Sequence, residues 1–211
     1  MNAQTDSAVH AIVPLALLQA LQAQDVPAPD DLDEYHADLT TKRLGMSHTV
    51  ARQIERYREM AGRNRRVACA EVVALMQLTG RRSDAPLLFA DAGRRAASLA
   101  AENTGAFPQR VGKALPGFAE RRVGFTLARK VLRSVFDVDL TRERDRLVAR
   151  TGACAPIEAT PNGAACGFYG SAVAATLRIF TDFDGAVLHE HCRATGAPEC
   201  LWSTGPERTD A

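Results

Sequence analysis

Several things are scarce in this sequence. No run of apolar residues is long enough to cross a bilayer. The longest stretch near the start, Ala8 to Leu21, is broken by His10, Pro14 and Gln19, and it falls short of the roughly 20 residues that about 30 Å of hydrocarbon demands. A basic start followed by a small-residue cleavage site is also missing, which argues against a secretory leader. The expectation is a cytoplasmic protein with no transmembrane segment. Excess charge is scarce too: 26 basic and 25 acidic residues leave a formal +1, so nothing favours nucleic acid as a partner. The five cysteines are an odd number, which in such a chain argues against a disulfide framework. Motifs for common chemistry are absent as well. There is no Gly-x-Gly-x-x-Gly, flavin signature or Gly-x4-Gly-Lys-Ser/Thr loop, and no Gly-x-Ser-x-Gly elbow or His-Glu-x-x-His helix. These absences remove the usual nucleotide-dependent and hydrolytic readings. No internal repeat or low-complexity tract occurs.

What remains is a chain able to bury a core, 46% hydrophobic but only 6% aromatic, with an Ala-, Leu- and Arg-rich bias toward helix. Ile12, Leu15, Leu18 and Leu21 repeat as one helical face, which Val26-Pro27-Ala28-Pro29 ends. Acids from Asp30 to Glu34 suit a first helical turn. Ser47 is placed to cap a helix through Val50, Ile54, Tyr57 and Met60, and Arg63 to Arg66 reads as a basic loop. Further helices are expected over Val67 to Leu78, after Ser83 or Asp84 through Leu88, Ala92, Ala96 and Leu99, over Val111 to Phe118, and over Arg122 to Phe136. Beyond that the character changes. Phe136 to Leu140 alternates with period two, Cys154 to Glu158 suits an edge strand, and Ala164 to Phe180 is a helix of small residues. Strands over Ala186 to Cys192 and Glu199 to Ser203 flank a turn. The predicted class is α+β, a helical first two thirds packed on a small antiparallel sheet. The organisation read from this is a helical segment over 1–66 and a domain over 67–205.

Three cysteines fall in the last part. Cys192 and Cys200 sit at the two strand ends of a hairpin, and Cys166 opens the preceding helix. A helix start beside a hairpin can bring three thiolates together, with His189, Glu190 and His191 as candidates for a fourth ligand. Zinc takes sulfur, nitrogen and carboxylate donors in a tetrahedron at about 2.0–2.3 Å. A closed four-ligand site of that kind is structural. The alternative is that these cysteines are small buried hydrophobes. Cys69, inside an apolar helix, is read as core.

The run Cys166-Gly167-Phe168-Tyr169-Gly170-Ser171-Ala172, followed by Cys192-x7-Cys200-Leu201-Trp202, resembles the 4-vinyl-reductase-like (hydrocarbon-binding) domain family. Within it, the chain is most similar to bacteriochlorophyll-synthesis protein J-like members. The specific part of the likeness covers about residues 160–203. It implies a fold related to TRAPP subunits and a zinc site on Cys166, Cys192 and Cys200. The family's fourth position, a Glu, falls on His189 here, with Glu190 one residue away. It also implies an apolar pocket between helices and sheet, with Phe107, Phe125, Phe168 and Tyr169 as ligand contacts and Phe118 and Phe136 among its walls. His36, His48 and Tyr57 are candidate polar anchors. Arg121, Arg122, Arg129 and Lys130 are placed to meet carboxylates. The ligand would be a small hydrophobic molecule or a tetrapyrrole. A homodimer and biosynthetic enzyme partners are expected with it. The implied role is a carrier or accessory factor in (bacterio)chlorophyll-type tetrapyrrole biosynthesis. Two alternatives are a stand-alone sensor of aromatic or hydrocarbon ligands acting through a partner, and a vinyl reductase, for which no hydride-carrier site is seen. Gly45 to Arg52 also superficially resembles part of a helix-turn-helix, with a helical hairpin as the plainer reading.

Overall fold

The structure is a computed structural model that describes residues 8–25, 47–104, 117–152, 160, 163–181 and 183–205, with 117–121 described in backbone only. In chain order the elements are β1 (Ala8–His10), α1 (Ile12–Asp25), α2 (His48–Gly62), β2 (Arg66–Ala68), α3 (Cys69–Gly80), α4 (Ala85–Asn103), α5 (Gly117–Phe136), β3 (Asp139–Glu143), β4 (Arg146–Thr151), α6 (Cys166–Phe180), β5 (Val187–His191) and β6 (Cys200–Thr204). The fold is α+β, with a helical N-terminal part and two small antiparallel sheets, one of β1 and β2 and one ordered β3-β4-β6-β5.

The helices follow from their patterns. In α2, Val50, Ile54, Tyr57 and Ala61 are buried at helical spacing, and the Ser47 hydroxyl accepts from the Val50 N–H at 3.3 Å, satisfying one of the orphan donors of the first turn. Helix α1 is buried on nearly every side, as befits a helix at the centre of a layer. Helix α4 packs along both α1 and α6. Its buried residues include Ala92, Gly93, Ala96, Ala97 and Ala100, small enough for backbones to approach closely. At Gly93 the approach is extreme: a Cβ would lie 2.2 Å from the Phe168 carbonyl oxygen of α6. Helix α6 turns its other side to the sheet, where Val173 and Leu177 meet Leu140, Leu147, Ala149 and Trp202.

Some boundaries differ from the sequence expectation. The first apolar stretch splits, and Ala8–His10 pairs with Arg66–Ala68 as a two-stranded ribbon before α1 begins. The expected helix from Val67 therefore starts at Cys69. Phe136 and Val138 do not begin a strand. Asp137 takes φ 54°, and the Val138 N–H reaches back six residues to the Leu132 carbonyl at 3.1 Å, so a left-handed residue closes α5 rather than opening a strand. The strand starts at Asp139. Its partner β4 was not anticipated. The expected helices in 30–46 and 111–116 and the strand at Cys154 to Glu158 lie outside the described residues.

His10 joins the ribbon to α1. It is 3% exposed. Its Nδ1 accepts from the Ile12 N–H at 3.2 Å, and its Nε2 donates to Asn64 Oδ1 at 2.8 Å. That pair of bonds needs the neutral ring. Burial lowers the His10 pKa from 6.5; the Asn64 bond opposes this, and Arg66 and Asp137 act in opposite directions.

Two tests follow. Gly93→Ala gains up to about 1 kcal/mol of helix propensity, but overpacking costs about 1–3 kcal/mol. With a 2.2 Å clash against backbone the loss wins, and thermal unfolding should show a lower Tm. Gly167→Ala, whose Cβ would meet only the Phe89 Cβ at 3.8 Å, should not lower it. For His10 the folded pKa is depressed, so its contribution to stability is complete above about pH 6.5. It is lost as pH falls through that value toward the lower folded one. Urea unfolding at pH 7.5 and 5.5 should show a larger loss on acidification for the wild type than for His10→Gln.

Candidate metal centre

Three elements build the site. Helix α6 supplies Cys166 from its first turn. Strand β5 supplies His189, and the hairpin to β6 supplies Cys192 and Cys200. The ligand atoms of these four residues all lie within 4.8 Å of one another. Cys166 Sγ stands 3.4 Å from Cys192 Sγ and 3.9 Å from Cys200 Sγ. These are not disulfide distances, and all three thiols are free. Sulfurs bound to one zinc at about 2.3 Å sit about 3.8 Å apart across a tetrahedron, so the spacing fits a shared ion. The four residues can hold a metal ion.

The surroundings are arranged to match. The Arg193 N–H donates to Cys200 Sγ at 3.3 Å. The turn is closed on Cys192, whose carbonyl accepts from the N–H groups of Thr195 and Ala197 at 3.1 Å each. Gly196 takes φ 99°, a conformation that suits glycine. On the helix side the Thr160 hydroxyl accepts from the Ala165 N–H at 2.9 Å, tying the loop to the start of α6. Between them lies Gly163 at φ 70°, where a Cβ would come 2.6 Å from Cys192 Sγ and 3.4 Å from Cys166 Sγ. Only glycine lets that backbone pass over the thiols.

The proton balance of the metal-free cluster points the same way. Its hydrogen bond with Cys200, then burial and Cys192, push the Cys166 thiol up. The hydrogen bond from Cys166, helped by the Arg193 N–H and by His189, pulls Cys200 down to about 6 against the opposing effect of burial. Of the two, Cys200 is the thiol held toward its ionised form, by donors from Cys166, the Arg193 N–H and His189. A cation answers this arrangement better than one shared proton can.

The fourth position goes to His189. A β-bulge between His189 and His191 turns Glu190 elsewhere. Its carboxylate accepts from Arg146 at 3.1 Å and from the Ser203 hydroxyl. The His189 ring lies nearly parallel to Trp202, with centroids 5.1 Å apart. Trp202 follows Cys200 by two residues on the same strand face. That period-two signal was available in the sequence, though Trp202, Gly163 and Arg193 were not singled out as supports. His191 is exposed.

The other candidate residues are dispersed. Phe168 and Tyr169 are fully buried, in an aromatic chain from Phe136 through Phe168 and Tyr169 to Trp202 with centroids 5.2–6.3 Å apart. Phe125 is half-buried, with the Arg142 guanidinium 5.7 Å from its ring centre. Arg122, Arg129 and Lys130 are exposed on the same helix, α5. His48 is exposed, and Tyr57 is buried with its hydroxyl donating to Glu71. Cys69 is buried in the core. Phe107, His36 and Cys154 lie outside the described residues, as do the side chains of Phe118 and Arg121. Among the described residues no helix is long and apolar enough to cross a membrane.

Removing one ligand should cost more metal affinity than the roughly 10–100-fold typical of an outer-sphere partner. Competition with a chromogenic chelator should therefore show a large loss for His189→Ala and little change for Glu190→Ala. Metal binding should also stabilise the fold. At a free ion concentration a thousandfold above Kd the linkage is worth about 4 kcal/mol, or about 8–16 °C in a chain of this size. A chelator should lower the Tm by that order, and Gly163→Ala should lower the metal-dependent part.

No protein-family model matches the chain, and no curated protein matches it.

Proposed function

We propose that the chain is a zinc-stabilised binding protein for a small hydrophobic ligand, in its most specific form a carrier or accessory factor for a tetrapyrrole. The observation that carries this reading is the convergence of Cys166, His189, Cys192 and Cys200. Four protein donors leave no open position on a tetrahedral ion. The metal therefore serves as a clamp between the start of α6 and the β5–β6 hairpin. Zinc is chosen over other ions because three soft thiolates and an imidazole in a tetrahedral spacing are its usual set.

The ligand half of the reading rests on the resemblance of residues 160–203 to the 4-vinyl-reductase-like domains, and with it come the TRAPP-related fold and a cytoplasmic homodimer. One geometric feature favours it. Phe125 offers a half-exposed ring beside the Arg142 guanidinium, and Arg122, Arg129 and Lys130 lie on the same helix. A flat apolar molecule with carboxylate arms needs such a combination of aromatic face and cations. Phe168 and Tyr169 lie in the buried core, where they link α6 to Trp202 and so to His189.

Titration with a zinc or magnesium porphyrin bearing propionates should shift its absorption bands and saturate. Arg142→Ala should weaken binding by about tenfold, the effect of losing one charged hydrogen bond of about 1.5 kcal/mol. No spectral shift, with simple aromatics still bound, would sink the tetrapyrrole form of the proposal.

A further inference from the structure

The three thiols of the metal centre are not equivalent. Cys166 and Cys200 are 2% and 0% exposed, whereas Cys192 is only partly buried. Cys192 stands at the hairpin end, next to the short helical turn Arg193–Thr195, and the neighbouring ligand His189 is exposed. Reagents in solvent therefore meet this side of the cluster first. The Cys192 sulfur has Cys166 Sγ at 3.4 Å. A disulfide needs about 2.05 Å, so the two must close by about 1.4 Å. Gly163 has no side chain to separate them: its backbone passes beside both sulfurs.

We propose that Cys192 is a modification site for low-molecular-weight disulfides, and that its subsequent bond to Cys166 expels the metal, making the centre a thiol-disulfide switch. This rests on reading the cluster as a zinc site.

The chemistry balances without further reagents. The Cys192 thiolate attacks one sulfur of RSSR. The Cys192–SR bond forms, the RS–SR bond breaks, and RS⁻ leaves. The Cys166 thiolate then attacks Cys192 Sγ, the Cys166–Cys192 bond forms, and a second RS⁻ leaves. The protein gives up two electrons and RSSR is reduced to two thiolates. Both attacking groups are already deprotonated when they ligate zinc. Two of the four donors are consumed. His189 and Cys200 alone do not make a structural site, and zinc leaves as the hydrated ion. The Cys166–Cys192 bond keeps the hairpin end joined to α6, while His189 and Cys200 lose the tie that the metal gave them. Strand β5 carries His189, is exposed at four of its five residues and, among the described residues, pairs only with β6, so it is the element whose anchorage changes.

The test uses the zinc-loaded chain and oxidised glutathione. Free zinc is followed with a chromogenic chelator, and links are mapped by mass spectrometry of unreduced peptides. The expected result is one zinc released per Cys166–Cys192 link, reversed by dithiothreitol and added zinc. Cys166→Ser should instead accumulate a stable glutathione adduct on Cys192. Zinc retained with all three thiols unmodified overturns the switch and leaves the metal site standing. So does a first link through Cys69, Cys154 or Cys200. A chain that carries no zinc before oxidant is added overturns both.

Discussion

The position of α6 depends on one close contact, the passage of Gly93 against the Phe168 carbonyl. Two helices at that separation exclude any side chain between them. Their attraction then comes from many short dispersion contacts rather than from a few large residues. The alanines of α4 extend the same condition over several turns. Cys166 lies two residues before Phe168 and inherits its place from this packing. The sheet is set from the other side of α6, where Val173 and Leu177 meet Trp202 and Leu140. Helix start and hairpin are thus brought together by the core before any metal contributes. A site assembled by packing costs less chain entropy on binding than one the ion must gather for itself.

A metal bound at this cluster would add something that packing does not. Strand β5 has little apolar area to bury, with Leu188 56% exposed, and an edge strand of this kind holds on mainly through its ladder. His189 and Cys192 at its far end are joined through the cluster to α6. The aromatic chain from Phe136 to His189 supports the same junction from within. Stacking on Trp202 fixes the imidazole plane, so the ligand keeps its aim without needing burial. The bulge that aims His189 also sends Glu190 toward Arg146 and Ser203, which separates the roles of two adjacent polar residues.

Much of this was legible in the sequence, because its signals are local. Ser47 followed by Val50, Ile54 and Tyr57 specifies a capped amphipathic helix in a few residues. Cys192, the Gly196 turn and Cys200 specify a hairpin in nine. The parts that were not legible depend on contacts distant in sequence or on unusual turns. Strand β1 exists because Ala8–His10 finds Arg66–Ala68, a pairing with no local mark. The β3–β4 hairpin turns at Arg144 and Asp145, with Arg144 at φ 54°, where a glycine or asparagine is the usual sign. Without that sign, Leu147-Val148-Ala149 reads as an apolar run of no definite type. Phe136 and Val138 alternate correctly for a strand, yet Asp137 spends the alternation on a helix end. The choice between His189 and Glu190 rested on a bulge, which a period of two does not reveal.

The placement of ligands separates holding from reacting. A zinc ion held by four protein donors has no position for substrate or water, so a metal bound here would act on its surroundings only through α6 and the sheet. Any apolar binding surface next to α5 would be shaped by the same helix–sheet packing that the centre secures at its far end. The least buried thiol lies at the hairpin end of that junction, while the two buried thiols have the packed side. Changing the bonding of Cys192 therefore alters how firmly β5 and the hairpin hold to α6, while the α4–α6 contact at Gly93 stays intact. The chemistry acts at an edge that can move without unfolding the core, and this is the physical condition for a reversible change of state.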